Sequence, residues 1–98
     1  MATDVIMFRH EGFEFILKNI GKSDYLCFVN VDNKAYEMFG IGNFDDDETM
    51  VEHAKNWFDQ LGDKERCKDK EWLEAVRAES LIRNKEAVEW TDGLFQSR

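Results

Sequence analysis

Four consecutive carboxylates, Asp45, Asp46, Asp47 and Glu48, stand in the stretch GNFDDDETMVEHAKNWFDQLGD of this 98-residue chain. They are the residues whose type and spacing most invite chemistry. A calcium loop needs oxygen ligands at alternating positions, a glycine at its turn and a distant glutamate. A consecutive run at the start of a helix lacks that layout. General acid–base work needs one carboxyl desolvated and raised in pKa, which solvated neighbours do not provide. Helix capping fits better. Asp45 or Asp46 can accept backbone N–H bonds, Asp45 with Glu48 has the spacing of a capping box, and Phe44 is placed to staple onto Thr49. A cap uses one or two acids, and four are present.

The surplus points to an interaction surface. Glu48 and Glu52 are four residues apart, and Asp59 continues the polar side after Lys55. Side chains at that helical spacing lie roughly 5–6 Å apart, close to the separation of phosphates along a nucleic-acid strand. Such a row can enter an Arg/Lys groove built for DNA or RNA. Asp45, Asp46, Asp47, Glu48, Glu52 and Asp59 are therefore the candidate partner-binding residues. The expected partner is a basic surface of another protein or of a nucleoprotein complex.

Other chemistries are not readable. His10 and His53 are the only histidines, one in a turn-like stretch and the other beside an apolar stripe. Cys27 and Cys67 match no zinc, redox or nucleophile spacing. Gly40 and Gly42 in FGIGNF are too few for a phosphate fingerprint. No catalytic set, metal or cofactor is expected, and the chain reads as non-enzymatic. The two cysteines read as free thiols of a reducing, cytoplasmic compartment.

Charge bears on partners. The formal net charge is −8. Residues 45–63 hold seven acids and one base, a balance of −6, whereas KERCKDK at 64–70 holds four bases and two acids. That field repels phosphate backbones and attracts basic surfaces, so direct nucleic-acid binding is disfavoured. No apolar run reaches the roughly 18 residues of a membrane span. The N-terminal MATDVIMFRHEGF lacks the long apolar stretch of a secretory signal.

The elements that must position these residues follow from periodicity. Ninety-eight residues, 43% of them hydrophobic, suffice for one domain over 1–98 with its own core. DVIMF, FEFILKNI, YLCFVNV and AYEMF read as strands. Phe13, Phe15 and Leu17 alternate with Glu14, Ile16 and Lys18, and DNK at 32–34 is turn chemistry. Gly40 and Gly42 are read as ending the sheet. Met50, Val51, Ala54, Trp57, Phe58 and Leu61 then form one helical face from about Asp46, with Gly62 as its stop. A second helix over roughly 70–82 carries Trp72, Leu73 and Val76. Beyond it, either Asn84 caps a third helix or one long helix has two apolar faces. Strands followed by helices give an α+β class: an antiparallel sheet of three to four strands, with two or three helices on one face.

From FRHEGFEF through YLCFVNVDNKAYEMFGIGNFDDDETMVEHAKNWFDQ, the chain resembles small β-β-β-α modules of phage and bacterial genomes. Antitoxin domains of the HicB type are similar in outline but carry a proline-containing motif before the helix, and this chain has no proline. In size, acidity and element order it is similar to phage anti-CRISPR and anti-restriction proteins. That resemblance implies an inhibitor of a host nucleic-acid-handling complex, acting through a DNA-mimic surface. The second class is a homodimeric regulatory or antitoxin-like module joined at the sheet edge or C-terminal helix.

Overall fold

In the computed structural model, strands β1 (Val5–His10), β2 (Phe13–Gly21), β3 (Asp24–Val31) and β4 (Lys34–Gly42) pair antiparallel in chain order. Helices α1 (Asp47–Gln60), α2 (Asp63–Arg66), α3 (Lys70–Arg83) and α4 (Lys85–Gln96) follow. The described residues are 4–42 and 44–97. Met1–Thr3, part of the segment read against a secretory signal, lie outside them, as do Asn43 and Arg98. The expected α+β class, with an antiparallel sheet followed by helices, is observed.

Turn chemistry sets the register. Glu11–Gly12 and Asp32–Asn33 have positive φ at both residues. That is the two-residue turn whose twist matches that of paired strands. β4 does not stop at Gly40 but runs on to Gly42. There the chain passes so close to the β2–β3 connection that a Cβ would lie 2.7 Å from the Ser23 carbonyl oxygen.

The helices do not share one face of the sheet, which corrects the sequence-based expectation. Phe15, Leu17, Tyr25, Cys27, Val29 and Tyr36 form one core with Met50, Ala54 and Phe58 of α1 and Leu73 of α3. Ile16, Leu26, Phe28 and Ala35 form another with Val88 and Phe95 of α4, joined by Leu81 at the end of α3. Side chains alternate across a strand. Ile16, between two core residues of β2, therefore needs a cover of its own and is fully buried. The unbroken apolar run of β3 has the same cause. α3 begins over one core and ends over the other, passing along the β4 edge. The register change after Ile82 marks that passage, and the helix breaks at Asn84. The Asn84 side chain caps nothing. It donates instead to Glu37 Oε1 at 3.1 Å.

The apolar stripe of α1 also needs correction. Met50, Ala54 and Phe58 are buried, whereas Trp57 and Leu61 are 37% and 48% exposed. Phe58 is the anchor, edge-on to Phe15 at 4.9 Å and to Phe13 at 5.8 Å. Trp57 lies at the margin of the stripe and meets Phe39 of β4, ring edge to ring at 5.5 Å. A face drawn from spacing alone reaches too far, taking in Trp57 and Leu61.

Candidate interaction surface on the first helix

The cap at the start of α1 is made by Asp46. Its carboxylate accepts the Thr49 N–H at 2.8 Å and the Thr49 hydroxyl at 2.9 Å. These bonds hold its carboxyl below the usual range, the backbone N–H contributing most. The capping box expected from Asp45 and Glu48 does not form, because the helix begins one residue later than that pairing requires. Phe44 packs on His53, ring to ring at 4.6 Å, instead of stapling onto Thr49.

All six candidate acids are exposed. Glu48, Glu52 and Asp59 lie within a narrow arc of a helix with 3.6 residues per turn, away from buried Met50, Ala54 and Phe58. Their surroundings differ. Glu52 is 3.6 Å from Lys55 on the same side. Asp59, at the far end of the helix, accepts a bond from His10 Nε2 at 2.8 Å. The carboxylates of Asp45 and Glu48 have no hydrogen-bond or ion-pair partner among the described residues. The structure thus gathers Asp45 to Glu52 around the first two turns and sets Asp59 apart, tied to the sheet.

That tie creates a feature the sequence did not reveal. His10 Nε2, Glu11 and Asp59 offer possible metal ligands within 4.8 Å of one another. Residues 49 positions apart meet there because α1 returns to the β1–β2 turn. The arrangement works as an ion-pair network. The Lys64 ammonium lies 2.9 Å from Glu11 Oε2, and the histidine nitrogen nearest the carboxylates is already the donor to Asp59. A cation would have to displace both contacts.

The two thiols are free and buried. Burial, reinforced by the charge of Asp63, pushes Cys67 up to about 11 and Cys27 higher still. Neither is a thiolate nucleophile near neutral pH. Asp63 itself is buried, with Oδ2 lacking any partner among the described residues and Oδ1 only 3.5 Å from Arg66.

Two polar networks outside the acidic region also escaped the sequence. Arg77 and Asp92 pair between α3 and α4, and both bind Ala35 of β4. Glu37 accepts from Ser80, Arg83 and Asn84. No local spacing signals such pairs, since the partners are brought together by tertiary packing. At the α3–α4 junction, Trp90 stays 45% exposed with Lys18 stacked 4.7 Å over its ring. It lines an open groove of about 670 Å³ with Ile20, Ile82 and Lys85.

Comparison of the chain with family models, curated proteins and solved structures finds no match. No helix among the described residues is long and apolar enough to cross a membrane.

Proposed function

We propose that this protein is a non-enzymatic binding module that engages a basic partner surface through the start of α1. The observation that carries this reading is the exposure of Asp45 and Glu48, whose carboxylates have no partner among the described residues, although the Asp46 side chain already caps the helix. Glu52 continues that side one turn on. Like charges four residues apart on a helix, as Glu48 and Glu52 are, repel by a few tenths of a kcal/mol, a cost that a complementary partner would offset.

The finer reading is that the partner's basic surface is one that handles nucleic acid, and that occupying it inhibits a host defence complex. It rests on the phosphate-like spacing of the carboxylates, the −8 net charge and the resemblance in size and element order to phage anti-defence proteins. Two buried free thiols accord with a reducing, cytoplasmic setting. The outward position of Glu48 and Glu52 also accords with rim electrostatics, which govern encounter and register more than total affinity.

The experiment is capture from host lysate on the immobilised protein and on a variant carrying Asp45→Asn, Asp47→Asn, Glu48→Gln and Glu52→Gln. Asp46 stays for the cap and Asp59 for its bond to His10. The expected result is a specific partner, retained by the parent at low salt, released as salt rises and absent from the variant. Equal capture by both would move the binding surface elsewhere, the groove beside Trp90 being the next place to look.

A further inference from the structure

The two edges of the sheet are treated differently. On β4 the outward N–H and C=O of Ala35 are both occupied. Asp92 Oδ1 accepts the N–H at 2.7 Å, and Arg77 Nη1 donates to the carbonyl at 2.9 Å. α3 and α4 both pack against β4, so at Ala35 that edge is closed to another strand. β1 is the opposite edge. Its Asp4 carbonyl accepts from Asn19 N–H at 2.8 Å, and Val5 stands opposite Lys18. Hydrogen-bonding direction alternates along a strand. Ile6, Phe8 and His10 therefore bond to β2, while the N–H and C=O groups of Val5, Met7 and Arg9 point outward. They have no hydrogen-bond partner among the described residues. The edge carries neither proline nor bulge, devices by which edges are usually blunted. Met7, in its middle, is 42% exposed.

We propose that β1 pairs antiparallel with β1 of a second copy of this chain, about a two-fold axis through Met7, making one continuous sheet. The sequence of the strand favours that occupant, because DVIMFRH is complementary to itself when reversed. With Met7 opposite Met7 of the second copy, Val5 faces Arg9, and each opposed pair exchanges two hydrogen bonds. Asp4 at one end then faces His10 at the other, acid to imidazole, and Ile6 faces Phe8. Centring the pair on Arg9 instead would set like charges against each other, which disfavours that slip. The axis is thus fixed by the backbone groups left open, by the exposed methionine and by the reversal of charge from strand start to strand end. The contact lies outside the acidic start of α1, so it stands or falls independently of the partner proposed there.

The test is sedimentation of the full chain across a wide concentration range, beside Met7→Lys, which sets two ammonium groups against each other on the axis. The expected result is a parent whose mass doubles with concentration and a Met7→Lys variant that stays at one chain with unchanged circular dichroism. A parent that remains monomeric throughout, or a dimer that Met7→Lys leaves intact, overturns the proposal. Should Met7→Lys fail to fold, Met7→Cys decides. Opposed hydrogen-bonded residues stand about 5.5 Å apart, within disulfide reach. Mild oxidation should then link two chains through that thiol and not through Ile20→Cys, the native cysteines being buried. Equal crosslinking at both positions, or none at Met7→Cys, also overturns it.

Discussion

Arg77 on α3 and Asp92 on α4 face each other in two hydrogen bonds of 2.8 and 2.6 Å, both side chains mostly buried. The pair closes the β4 edge at Ala35 and ties the two helices to it. Hydrogen bonding to Asp92 raises Arg77 despite its burial. Burial pushes the Asp92 carboxyl up, but bonds from Arg77 and the Ala35 N–H outweigh it and hold that carboxyl below its usual value. Arg77→Ala leaves a buried carboxylate without its countercharge and should cost about 3–5 kcal/mol. A depressed carboxyl contributes stability that is present above its unfolded pKa and lost as pH falls through the folded one. The gap between parent and Arg77→Ala should therefore be widest at neutral pH and narrow in acid, as the parent loses the contribution of Asp92 and the variant's buried carboxylate takes up a proton. Chemical denaturation at neutral pH and an acid titration followed by circular dichroism check both.

The two aromatic neighbours on α1 should behave differently. Phe58 is fully buried against Phe13 and Phe15, and Phe58→Ala should cost about 3–5 kcal/mol. Trp57→Ala removes one edge contact at a half-open site and should cost about 1–2 kcal/mol. Equal losses in urea unfolding would put Trp57 back among the core residues.

Asp63 carries an unusual signature: burial raises its carboxyl, and the charge and hydrogen bond of Arg66 oppose this only in part. A carboxyl raised on folding contributes stability that is complete below its unfolded pKa and lost as pH rises through the folded value. Asp63→Asn should therefore raise the melting temperature at neutral pH relative to the parent. The gain should vanish as pH approaches the ordinary carboxylate value of 3.8. A constant difference at all pH values would mean that the effect is steric.

Calcium, magnesium or zinc should not raise the melting temperature. A cation entering the His10, Glu11 and Asp59 cluster must displace Lys64 and break the His10–Asp59 bond, whereas a specific ligand stabilises by mass action. A metal-dependent rise that disappears in His10→Ala would make the cluster a site.

Local pattern carried much of the fold. Period-two alternation, the Asp32–Asn33 turn and the stop at Gly62 placed strands and first helix to within a few residues. The second core was also present in the sequence, as Ile16 beside Phe15 and the unbroken run in β3. Strict alternation drew attention to one face only. What could not be read locally is what tertiary closure creates: His10 meeting Asp59, Arg77 meeting Asp92, and Glu37 gathering three donors from α3 and its end. For the candidate surface, the exposure of Asp45 to Glu52 was legible from composition. Which acid caps the helix depended on where its first turn begins, a matter of one residue.

The most direct measurement is the association rate of the captured partner with the parent protein and with the four-fold Asn/Gln variant, across a salt series. Exposed charges contribute under about 1 kcal/mol each to stability, so the variant should fold with nearly the parent's midpoint. Steering by complementary charge accelerates encounter by about 10- to 1,000-fold at low salt. The variant should therefore associate at least about tenfold more slowly at low salt, with a flattened dependence on ionic strength and a smaller change in dissociation. Rates that coincide at every salt concentration would contradict a binding role for the acids beyond the cap at Asp46.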